Sequence, residues 1–68
     1  MAIKAILQGG PENLPASTRH CEVPTLEGEY KVEHAGGYEH FVHTGEFREE
    51  GGERLAVFRW SSRTEIAE

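Results

Sequence analysis

Between Gly36 and Trp60, two runs of alternating aromatic and polar residues meet at Glu50-Gly51-Gly52-Glu53. Two central glycines between alternating runs predict a two-residue hairpin, because the favoured type I′ turn needs positive φ at both central positions. A tip at Gly51-Gly52 sets Glu50 opposite Glu53. Counting outward, Phe47 faces Ala56, Gly45 faces Phe58, His43 faces Trp60 and Phe41 faces Ser62. Opposed residues share a face, so Phe41, Phe47, Phe58 and Trp60 gather on one side of the ribbon. A one-residue slip would scatter them. Tyr38, His40, Val42, Glu46, Arg48, Leu55, Val57, Arg59 and Arg63 take the opposite side. Ser62, Thr64 and Ile66 are expected to continue the aromatic face. Arg54 to Ala67 far exceeds the usual strand of about 5–6 residues, so a bend or bulge is expected at Ser61-Ser62.

The rest of the chain is consistent with an all-β fold. Ala2 to Gln8 alternates loosely, and Gly9-Gly10-Pro11 would stop a helix after barely two turns, so it reads as a strand. Gly9 to Ala16 has loop chemistry, with Leu14 pinning it to the core. Arg19 to Val23 forms a short strand that ends at Pro24. Glu29 to His34 alternates Tyr30, Val32 and His34 with Glu29, Lys31 and Glu33, which describes a half-buried strand with a charged outer face. The expected fold is a small antiparallel sheet or partly open barrel of about five strands, with residues 1–68 forming one domain.

At 68 residues such a domain buries only about 60% of the surface its unfolded chain exposes. Natural chains of this size commonly add disulfides, a metal or a second subunit. The single cysteine, Cys21, excludes an intrachain disulfide, which makes self-association or a protein partner the expected supplement. A net charge of −5 argues against general binding to nucleic acid or anionic membrane. No apolar run reaches the roughly 18 residues of a membrane span, and the N-terminus does not read as a signal peptide. With one unpaired thiol, a reducing cytoplasm is the expected location.

Candidate chemistry is sparse. His40 and His43 form H-x-x-H, but strand residues three apart point to opposite faces and do not reach one ion. A metal or small-ligand site, possible in a minimal enzyme, would draw on His34, His40, His43 and Cys21, with His20 as a further donor. Cys21 and His20 are strand neighbours on opposite faces, which rules out a nucleophile–base pair between them. Glu39, between Tyr38 and His40, is the one carboxylate singled out by its surroundings. Arg48, Arg59 and Arg63 beside Tyr38 and His40 could form a basic-aromatic strip. Glu46, Glu49, Glu50 and Glu53 balance it, so nucleic acid is not the expected partner. No catalytic residue and no cofactor is expected. Tyr38, His40, Arg59 and Trp60 are the expected contact surface of a non-catalytic interaction module, because aromatic and arginine side chains dominate binding hot spots.

Several blocks resemble a family of short actinobacterial proteins known only as a domain of unknown function. They are Ala5-Ile6-Leu7 with Gly9-Gly10-Pro11 and Leu14-Pro15; Gly36-Gly37-Tyr38-Glu39-His40-Phe41; Phe58-Arg59-Trp60; and Arg63-Thr64 with Ile66-Ala67-Glu68. The likeness runs nearly the full length and is weakest from Thr18 to Lys31. It brings no catalytic residues, since no activity is attached to the family. It implies a stand-alone bacterial protein that serves as an accessory to a larger enzyme or pathway.

Overall fold

The computed structural model describes residues 2–65. The chain runs β1 (Ile3–Gln8), α1 (Ala16–Arg19), β2 (His20–Val23), β3 (Glu29–His34), β4 (Gly37–Glu50) and β5 (Glu53–Glu65). The strands form a single sheet of five in the order β2-β1-β5-β4-β3. It is mostly strand, with almost no helix, and is not closed into a barrel. Three pairings are antiparallel as expected, and the β1–β5 pairing is parallel. The parallel pair exists because the chain returns to the sheet through β2, β3 and β4 before β5 slots in beside β1.

The β4–β5 hairpin turns at Gly51-Gly52, with φ of 57° and 80°, and Glu50 faces Glu53 and Phe47 faces Ala56 as the alternation predicts. Beyond that the register changes twice. His43, not Gly45, faces Phe58, and Phe41, not His43, faces Trp60. Thr44, Gly45 and Glu46 thus stand opposite the single residue Val57. Gly45 has φ of 93°, a conformation that side chains with a Cβ rarely take. The Thr44 hydroxyl donates to the Val57 carbonyl at 3.1 Å and accepts from the Glu46 N–H at 3.2 Å, so these two backbone groups keep partners at the bulge. Further along, Ser62 faces His40 while Trp60 faces Phe41, which leaves Ser61 as an extra residue on β5. The bulge expected at Ser61-Ser62 is present.

One face of the sheet, the inner face, carries the core. Ala5, Leu7, Leu14, Val23, Phe41, Ala56 and Phe58 are buried there, with Ile3, Cys21, Leu26, Tyr30 and Val32 packed against them. The 9–19 segment covers this face. Arg19 holds it down by donating to the carbonyls of Leu7 (3.2 Å), Gly9 (2.9 Å), Leu14 (3.4 Å) and Pro11 (2.7 Å). Leu14 seats in the core as the sequence suggests. Phe47 shares the inner face by register but is 41% exposed. It lies on the hairpin arm beyond the last β3 pairing, at Val42, and its ring meets only the Arg54 guanidinium, 4.3 Å from the centroid, and the edge-on His43 ring, 5.2 Å away. Phe47 thus lies on the expected aromatic side but outside the buried core.

Candidate interaction surface

Among the described residues no second sheet is layered on the outer face. Ile6, Leu55 and Val57 form a small apolar cluster on it, and Tyr38 and Val42 stand exposed nearby. Around them are charged strand residues: Lys4 on β1, Arg59 on β5, and Glu29, Lys31 and Glu33 on β3. Toward the hairpin tip this face becomes concave. His20 on β2 and Glu50 on β4 approach to 3.6 Å although β1 and β5 lie between them in the sheet. Lys4 and Glu53 also pair. Together with Ala5, Cys21, Glu22 and Leu55 they line an open cleft of about 350 Å³.

Tyr38, His40 and Arg59 share the outer face, and Trp60 lies on the inner one. His40 is only 8% exposed. Its Nε2 lies 2.7 Å from Thr64 Oγ1 and its Nδ1 lies 3.3 Å from Glu29 Oε1. The ring therefore bridges β3, β4 and β5 and leaves little surface for a partner. Tyr38 and Arg59 are exposed. Of the four residues expected to make contact, two are presented together, one is a buried tie and one faces the opposite way.

Trp60 belongs to a polar knot that the sequence did not reveal. The Ser61 bulge reverses the alternation, so Arg63 enters the inner face and Ser62 and Thr64 go to the outer one, contrary to expectation. Ile66 lies outside the described residues. Glu39, 1% exposed, accepts from the Trp60 indole N–H at 2.7 Å and pairs with Arg63. Arg63 also donates to the carbonyls of His34 (3.1 Å) and Ala35 (2.7 Å), tying the β3–β4 turn to β5. Burial alone would push the Glu39 carboxyl up. The hydrogen bonds from Trp60 and Arg63 and the Arg63 charge outweigh it and hold Glu39 below the ordinary range. The indole also packs on the Gly9-Gly10 loop, where a Cβ on Gly10 would come within 2.7 Å of Trp60 Cδ1. The singled-out Glu39 is thus a paired anion in the core, not an acid–base group with a raised pKa.

The histidines and Cys21 are not brought together. His43 lies on the inner face between Phe47 (centroids 5.2 Å apart) and Phe58 (5.4 Å), opposite to His40. His34 Nε2 lies 3.2 Å from Asn13 Oδ1. Among the described residues no three His, Cys, Asp or Glu side chains converge as a metal site would require. Burial pushes the Cys21 thiol up, and a hydrogen bond with Tyr30 offsets only part of that, which is opposite to what an activated nucleophile needs. No helix among the described residues is long and apolar enough to cross a membrane.

The chain belongs to a family of unknown function, DUF5988, whose model matches residues 1–68. No curated protein and no solved structure matches it.

Proposed function

We propose that the chain is a non-catalytic interaction module that acts by self-association or by docking on a protein partner, with Tyr38, Val42 and Arg59 on its outer face as the contact. The observation that carries this reading is the pair of large hydrophobic side chains left exposed on the outer face, Tyr38 at 39% and Val42 at 36%, beside the buried cluster of Ile6, Leu55 and Val57. Exposed apolar side chains grouped on one face mark interaction sites. An exposed tyrosine and arginine beside it match the residue types enriched at interface hot spots. A reducing, cytoplasmic setting suits the lone thiol, and an accessory role in an actinobacterial cell fits the resemblance of its sequence blocks.

The test is sedimentation of the purified chain over a range of concentrations, paired with capture from cells that carry it. Tyr38→Ala with Arg59→Ala should reduce capture of a protein partner at least ten-fold. A chain that stays monomeric throughout and captures nothing would refute the module reading. A second reading, a small-ligand-binding protein, has the open cleft lined by His20, Glu22, Glu50 and Glu53 in its favour. Saturable binding of a small ligand by the purified protein, lost on replacing His20, would establish it.

A further inference from the structure

Strand β3 is an edge of the sheet, and its turn determines which backbone groups it offers. Ala35 and Gly36 have φ of 50° and 77°, the signature of a type I′ turn, which makes His34–Gly37 a hydrogen-bonded pair. Bonding then alternates along the ladder, so Val32–Glu39 and Tyr30–Phe41 are also bonded pairs. The N–H and C=O groups of Glu29, Lys31 and Glu33 consequently point away from β4. Among the described residues no loop or side-chain hydrogen bond reaches them. Edges of this kind are templates for strand addition.

We infer that β3 pairs antiparallel with β3 of a second copy of this chain about a two-fold axis at Val32, so that two sheets become one. This inference rests on the self-association branch of the proposed function and adds an edge contact distinct from the outer-face surface named there. Charge complementarity selects the register. Outward-facing residues must pair with one another, which leaves three central registers. Centring on Lys31 sets Lys31 against Lys31 and Glu29 against Glu33, and like charges directly opposite are destabilising. Centring on Tyr30 requires Glu29 to meet Lys31 of the second copy, but Glu29 is already held by His40 at 3.3 Å.

Centring on Val32 sets Lys31 against Glu33 of the second copy twice over. Neither residue has an ion-pair partner among the described residues. The same register places the half-buried Val32 against its own copy and Tyr30 against His34 on the inner face, which lengthens the core. Lysine on an edge strand commonly blocks pairing. Here the Glu-Lys-Glu alternation selects one register instead. The contact is isologous, and both outer faces remain on the same side.

Sedimentation equilibrium with amide exchange tests this directly. The wild-type chain should dimerise, and the amides of Lys31 and Glu33 should become protected as concentration rises. Lys31→Glu and Glu33→Lys should each weaken dimerisation at least ten-fold while keeping the circular dichroism of the folded chain. Mixed one to one, they should recover a heterodimer, since each restores the other's charge pairs. A Glu33→Lys chain that dimerises like the wild type would overturn the Val32 register. A wild-type dimer whose Lys31 and Glu33 amides stay unprotected would overturn the edge contact but leave the module reading intact. A wild-type chain that is monomeric yet captures a protein partner would likewise overturn this contact alone.

Discussion

Replacing Arg63 with methionine should remove the counter-charge of the most deeply buried carboxylate while keeping most of the aliphatic stem. Glu39 is 1% exposed, and the Arg63 side chain is 26% exposed, so solvent screening relieves the loss only in part. Breaking such a pair by deleting one partner typically destabilises by about 3–5 kcal/mol. Proton uptake sets a ceiling, because a carboxylate left unpaired protonates once that is cheaper. From an unfolded value of about 4.3, protonation at pH 7 costs about 3.7 kcal/mol, and at pH 5 about 1 kcal/mol. The expected deficit is therefore about 3–4 kcal/mol at pH 7. That is a large share of the roughly 3–10 kcal/mol available to a chain of this length.

The pH dependence gives the sharper test. In the wild type Glu39 titrates below its ordinary range, so its stabilisation is fully present above the unfolded value and is lost as the pH falls through the folded one. Without Arg63, desolvation governs and the carboxyl rises above its unfolded value. Its penalty then grows as the pH rises from about 4.3. The two stability curves should converge by about 2–3 kcal/mol between pH 7 and pH 5. Urea unfolding read by far-ultraviolet circular dichroism measures this, with Trp60 fluorescence as the local probe. Glu39→Gln in the Arg63→Met background should recover most of the pH 7 deficit. A deficit below about 1 kcal/mol at pH 7, or one unchanged at pH 5, would refute the assignment of the knot as a desolvated ion pair.

Other substitutions separate close approach from conformation. Gly10→Ala puts a methyl 2.7 Å from Trp60 Cδ1 at a φ of 79°, and should cost about 2–3 kcal/mol and alter the Trp60 emission, since strain and overpacking add. Gly45→Ala meets nothing within 4 Å and should cost only about 1 kcal/mol, with no change in emission. Phe58→Ala should lose about 3–5 kcal/mol, whereas Phe47→Ala on the exposed arm should lose about 1 kcal/mol or less by thermal unfolding. Cys21 should react with iodoacetamide at neutral pH more slowly in the folded chain than in urea, because burial disfavours its thiolate.

Sequence reading succeeded where local chemistry determines structure. The Gly51-Gly52 tip, the half-buried alternation of β3, the anchoring of Leu14 and the Ser61-Ser62 bulge all follow from residues within a few positions of each other. It failed where a non-local contact decides. Nothing in Ala5 to Gln8 signals that β1 runs parallel to β5, since both orientations bury the same apolar residues. Arg19 reads as the start of a strand, yet its guanidinium binds three loop carbonyls and one of β1 that only the folded chain gathers. Phe47 has the composition of a core residue, but β3 is too short to shelter it. The polar knot had one visible trace: Glu39 falls on the aromatic face by alternation, and a carboxylate there needs a cation.

The two irregularities of the hairpin do different work, and parity explains why. At Gly45 two extra residues enter β4 opposite Val57. An even insertion returns every side chain to its original face, so Phe47 still lies on the side of Phe41 and Phe58 even though its partners have moved. At Ser61 a single extra residue enters β5, and an odd insertion exchanges the faces beyond it. Arg63 is thereby turned inward to Glu39, and Thr64 outward to His40. Both polar ties that bind β5 to β4 in this half of the sheet depend on that exchange. Through Glu29, the His40 tie also fixes which charges on β3 stay unpaired. The Ser61 bulge therefore links the packing of the inner face to the charge pattern offered along the free edge.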